Sequence, residues 1–278
     1  MKVTPLPLVF LLLAVAINPV VAQNSVTKKS PTSKFYVADV KGFAEVNTGT
    51  KIEDLTERSV FDAEGTVIET KIDSTNAVVM SNGAGVYFTP DTRLAVKRFA
   101  QEPFSPNRTD LDSEPSVSQT RNVLVRGAVG ICTGKLIAGS SMVYETVNTS
   151  LNILSQSVQK IAIQTNDEGT TVTLFEGAVT VRGDNMSGGE PLKPGQQALI
   201  RSRGLNQPPI ITIRPIPTEL RETLEDMVNG ACQARRKVYF DTVERQNTVE
   251  GATSELVPVA VNPVNPTEVG PIVSPARP

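Results

Sequence analysis

The amino-acid sequence predicts an all-β protein of antiparallel, layered sheets, sandwich-like or a short β-solenoid, carrying one C-terminal amphipathic helix. Three observations carry that prediction. From Phe35 to about Ile213 the chain is rich in valine, isoleucine and threonine, with turn residues recurring about every 8–12 positions. On both sides of Glu176-Gly177 the chain alternates apolar and polar residues, as half-buried strands do. Past Pro217 the spacing of apolar residues changes to that of a helix.

The elements follow in order. Lys2, the apolar run from Leu6 to Ile17 and the triplet Val20-Val21-Ala22 read as a signal peptide over residues 1–22. Cleavage is expected between Ala22 and Gln23, leaving no stable membrane span after processing. Residues 23–34 are a polar leader, and residues 35–213 form the β domain.

Within it, Asn82-Gly83 marks a hairpin; a two-residue loop there sets Val79 against Val86 and Val78 against Tyr87. Residues 99–119, with Pro103, Pro106 and Pro115, read as an inserted loop. Glu176-Gly177 reads as a second two-residue hairpin, with Leu174 facing Val179, Val172 facing Val181 and Thr173 meeting Thr180. Pro194-Gly195 marks a further turn. Residues 214–250 form a helical extension in which Thr218 caps a face of Leu220, Leu224, Met227, Val228 and Ala231. Residues 251–278, with six prolines from Pro258 to Pro278, are expected to be an extended, disordered tail.

Composition narrows function. The 278 residues carry 27 basic and 29 acidic side chains, so no overall field draws nucleic acid. Histidine is absent, which removes the commonest general base and zinc ligand. Asp110, Asp112 and Glu114 alternate like the start of a calcium loop. Pro115 and Arg121 stand where such a loop needs its glycine and its bidentate glutamate, so these read as solvated charges. No catalytic residue, cofactor or metal site is expected. The two cysteines, Cys132 and Cys232, fit an exported protein either as one bridge or as a strand cysteine and an unrelated helix cysteine.

In sequence order, Phe175-Glu-Gly-Ala-Val-Thr-Val181 and Leu192-Lys-Pro-Gly-Gln196 resemble the FecR-type periplasmic domain. Upstream, Gly65 to Thr70, Ala77 to Gly83 and Val86 to Leu94 resemble its strand, turn and strand. The likeness covers roughly residues 35 to 204. Only Met1 to Pro5 precede the apolar run, which is too short for that family's sigma-factor-binding region. The resemblance implies a free-standing exported module, non-enzymatic, binding or scaffolding an envelope protein or glycan, with a link to signalling. Two other classes stay open: a structural surface or adhesion protein, and a carboxylate-based carbohydrate-active enzyme. The loop over residues 99–119 is the expected seat of specificity.

Overall fold

Each of two sheets turns an apolar side inward, and the sheets meet over those sides. A computed structural model of the protein describes residues 33–147, 149–153, 157–183, 189–203, 207–247, 251–261 and 270–271. The predicted signal segment, with Ala22 and Gln23, and all but the last residues of the leader lie outside the described residues. Among the described residues no helix is long and apolar enough to cross a membrane.

The first strands are β1 (Lys34–Lys41), β2 (Ala44–Asn47), β3 (Ile52–Asp54), β4 (Val60–Asp62), β5 (Val67–Thr70), β6 (Thr75–Met80), β7 (Gly85–Phe88) and β8 (Arg93–Gln101). The 16-residue β9 (Ser118–Thr133) is the spine. Then come β10 (Ser141–Glu145), β11 (Thr149–Ile153), β12 (Gln159–Asn166), β13 (Gly169–Glu176), β14 (Val179–Gly183), β15 (Glu190–Leu192), β16 (Gln196–Arg201) and β17 (Ile210–Pro215). A helix, α1 (Thr218–Lys237), and a hairpin of β18 (Val238–Asn247) with β19 (Gly251–Ala260) complete the fold.

One sheet, covered by the helix, runs β4-β1-β6-β7-β9-β12-β13-β16-β17. The other, whose outer side no described element covers, runs β3-β2-β5-β8-β9-β10-β11-β14-β15. The β9–β10 pair is parallel and the others are antiparallel. The chain before β9 and the chain after it therefore contribute alike to both sheets. β9 belongs to both because it bends at Gly127, whose φ of +84° suits a residue without Cβ. Val37, Val86, Ile131, Ile163 and Leu174 from one layer meet Val46, Ile68, Leu124, Leu151 and Val181 from the other in a single core.

The outer face of the covered sheet is built of small residues. On β9, Ala128, Gly130 and Cys132 alternate with the inward Val129 and Ile131. Ala162 on β12 joins them, and Leu224, Met227, Val228, Ala231 and Cys232 of α1 pack on this strip. Tyr36, Ala77 and Val79 of the same face are covered by Ala234, Phe240 and Leu256.

Several expectations are corrected. Glu176-Gly177 does not close a hairpin: β13 pairs with β12 and β16, while β14 pairs with β11 and β15. The chain arches from one sheet to the other, so Leu174 and Val179 meet through the core rather than across a ladder. Thr173 sits opposite Ala162 and Gln197, not Thr180. Pro194-Gly195 is a second such arch, linking β15 to β16. The Asn82-Gly83 hairpin is present, but its register is shifted by one, with Val78 opposite Val86 and Val79 opposite Gly85. Its loop is Ser81-Asn82-Gly83, closed by Met80 N donating to Ala84 O at 2.8 Å.

The inserted loop is shorter than expected, spanning residues 102–117, because Phe99 is core and completes β8. Thr218 does not cap α1; Pro217 holds the cap position without a side-chain hydrogen bond, and Leu220 is exposed. The chain beyond Lys237 is strand rather than helix. Residues 251–260 of the expected disordered tail are β19, anchored by buried Leu256 and Val259, with Pro258 paired opposite Phe240. Short, Pro-interrupted apolar runs carry no visible period, which is why this strand escapes a pattern search. The remainder of the tail lies outside the described residues, apart from a two-residue strand at Gly270–Pro271.

Candidate functional site

The loop over residues 102–117 crosses the carboxyl end of α1 and the start of β18. Polar side chains with few neighbours would leave such a loop floppy; here each end of it is tied down. Phe104 packs against the cluster of Tyr36, Val79 and Phe240. The Asn107 amide donates to both carboxylate oxygens of Asp241, at 3.1 and 3.0 Å. Asp110 accepts the Asp112 amide at 2.8 Å and the Ser113 amide at 3.3 Å, folding the acidic stretch on itself. The Ser113 and Asp112 hydrogen bonds hold the Asp110 carboxyl below its usual range.

Two arginines complete the fastening. Arg108 Nη2 donates to Asp110 O at 2.9 Å and to Ser113 O at 2.7 Å. Arg235, on the last turn of α1, donates from Nε to Gly83 O at 3.0 Å and from Nη2 to Leu111 O at 2.8 Å. Burial lowers the affinity of both guanidinium groups for their protons, against the opposing pull of nearby aspartates. Arg235 continues the apolar stripe of α1 four residues after Ala231. A charge lying on an apolar face is the signal for this contact, and Arg235 is half-buried while its neighbours Arg236 and Lys237 are exposed.

Glu114 points the other way, into the sandwich. It accepts Ser118 Oγ at 2.7 Å and the Ile137 amide at 2.7 Å. Burial pushes its carboxyl above the usual range, although the hydrogen bonds and the Arg108 charge oppose this. The solvated-charge reading thus fails for Glu114, which is 5% exposed. Asn82 joins the same buried network, donating to Ser118 Oγ at 3.2 Å.

Cys132 and Cys232 form a disulfide, with Cα atoms 5.1 Å apart, that pins α1 to β9. Beside it, Lys160 and Glu176 make an ion pair at 2.7 Å. These parts enclose a cleft of about 380 Å³. Gly83, Glu176 and the two cysteines, all singled out in the sequence, line it together with Asp112, Arg108 and Arg235. Pro194 and Gly195 are not among its walls. Arg108, Asp241 and Tyr239 had no sequence signal, because their roles arise from elements far apart in the chain. Among the described residues no group of histidine, cysteine or carboxylate side chains is arranged to hold a metal ion.

No protein-family model and no curated protein sequence matches the chain. Two crystal structures of a "putative anti-sigma factor" from Parabacteroides distasonis ATCC 8503 are similar to it, with TM-scores of 0.40 and 0.39 and 14% identity. Each match covers 56% of this chain and 62% of the other, so the chain spans less than two thirds of those proteins.

Proposed function

We propose that this protein is an exported, non-enzymatic FecR-like module of the bacterial envelope that binds a protein or glycan partner and serves a signalling or scaffolding role. The observation that carries this reading is the fastened loop over residues 102–117. A recognition surface needs polar groups held on a rigid frame, and here a disulfide, a helix and two arginine staples hold them. The ordered Glu-Gly and Pro-Gly motifs, each an arch between the sheets, support the family part of the reading. The signal-like amino terminus supports export.

The test places a photo-crosslinking residue at Leu111 or Ser113, on the cleft, and at Thr180, on the open sheet, in protein expressed to a bacterial envelope. A discrete adduct is expected from the cleft positions and not from Thr180. The mature chain should begin at Gln23 by intact mass. No adduct above the Thr180 control, or turnover of a glycan or peptide by the purified protein, overturns the binding reading.

A further inference from the structure

Two half-buried guanidinium groups share the cleft, and no carboxylate neutralises either at close range. Arg108 and Arg235 both line it. Among the described residues neither belongs to an ion pair, whereas Lys160 is paired with Glu176 in the same walls. Both arginines instead spend donors on carbonyl oxygens, Arg108 from Nη2 and Arg235 from Nε and Nη2. A guanidinium has five N–H donors. Nε and Nη1 of Arg108 and Nη1 of Arg235 have no acceptor among the described residues.

The electrostatics sharpen this. The Arg235 charge disfavours the charged form of Arg108, so the two act on each other as like charges. Asp110, Asp112 and Asp241 counter them only through space, and exposed Arg236 adds another cation at the wall. Partly desolvated cations that repel one another are costly unless an anion lies between them. Planar guanidinium forks match the oxygens of a carboxylate or phosphate in a bidentate way. The neighbouring walls at Val158, Val238 and Tyr239 are apolar or aromatic.

We propose that this cleft is a binding site for an oxyanion group, carboxylate or phosphate, borne by a ligand with an apolar or sugar flank, with Arg108 and Arg235 as its two forks. The proposal deepens the partner-binding reading by assigning the chemistry of what the cleft accepts. A phosphoryl group and a uronate sugar present the same oxyanion, and separate probes tell them apart.

The full chain, disulfide intact, is titrated with inorganic phosphate, with glucuronate and with glucose as the neutral control, following the arginine Nε–H resonances by NMR. The Arg108 and Arg235 signals should shift saturably with at least one anion and not with glucose. A response to phosphate alone assigns a phosphoryl ligand; a response to glucuronate alone assigns a carboxylate sugar. Arg108→Gln should weaken the response at Arg235 at least tenfold. Should that variant unfold, the titration of the unaltered protein still decides. No saturable shift with either anion, or an equal shift at Arg182 on the open sheet, overturns the proposal. Anion binding without envelope adducts would defeat the partner reading alone; adducts without anion binding would defeat this one alone.

Discussion

A methyl group added at Gly130 would lie 2.3 Å from the carbonyl oxygen of Met227. Strand and helix thus touch backbone to backbone. Gly85 repeats the contact, 2.2 Å from Ala231 O by the same measure. Both sit on the outer, small-residue face of the covered sheet, and that strip sets how closely α1 can approach.

Gly130→Ala should therefore lift the helix and destabilise the protein by about 1–3 kcal/mol, the range for overpacking a filled site. Urea unfolding measures it. An unchanged midpoint would mean that α1 has room to move away, and the close-contact account would be wrong.

The two arch glycines should respond unequally to alanine. Both have positive φ, +102° at Gly177 and +83° at Gly195. An added Cβ at Gly195 meets nothing within 4 Å, whereas at Gly177 it would lie 2.1 Å from Gln159 Oε1. That oxygen accepts the Ala178 amide at 2.9 Å. Gly195→Ala should cost about 1 kcal/mol of backbone strain, and Gly177→Ala should cost more, because a part-buried hydrogen bond is displaced as well. Equal losses in thermal melting would remove Gln159 from the explanation.

Opening the disulfide should lower stability without dissolving the sandwich. The bridge closes a separation of 100 residues, for which chain entropy sets a stabilisation of about 4.7 kcal/mol as the theoretical figure. The main core contains neither cysteine, so Cys132→Ala with Cys232→Ala should keep a β-type circular dichroism spectrum while melting earlier. Identical melting of the oxidised and reduced protein would contradict this.

Glu114 should give the protein a pH dependence opposite to that of an ion-paired carboxylate. Its folded pKa is raised, with burial as the largest cause. A raised carboxyl favours the protonated fold, so its contribution is fully present below the unfolded pKa of about 4.3 and is lost as pH rises through the higher folded value. Glu114→Gln removes the ionisation. Relative to the unaltered protein, the variant should gain stability between pH 4 and pH 7, read as the difference of urea midpoints. A flat difference across that interval would show that the carboxyl is not held in its neutral form.

Much of the local structure was legible. The alternation around Val172 and Val181 marked which side chains face inward, and both are fully buried. The small residues of β9 were visible too, but nothing nearby in sequence said that a helix would need them. Where reading stopped, the reason was geometric. Alternation is satisfied equally by a hairpin and by an arch, since both send Leu174 and Val179 to the same core. The choice depends on whether β13 finds its ladder in β14 or in β12 and β16. The cleft was still less legible, since Arg108, Gly83 and Arg235 meet only after β7, β9 and α1 have packed.

By itself the sequence determined the β-rich span from Phe35 to about Ile213, the inward residues flanking Glu176-Gly177, the turns at Asn82-Gly83, Glu176-Gly177 and Pro194-Gly195, and the helix with Leu224, Met227, Val228 and Ala231 on its buried face. These follow from periodicity and from residues, such as Gly177, whose backbone freedom is a local property. Tertiary structure alone decided which strands pair, that Glu176-Gly177 crosses between layers, that residues after Gly251 form a strand, and that Arg108 and Arg235 share one cleft. Backbone pairing and charge proximity are long-range relations, and one strand's pattern cannot name its partner.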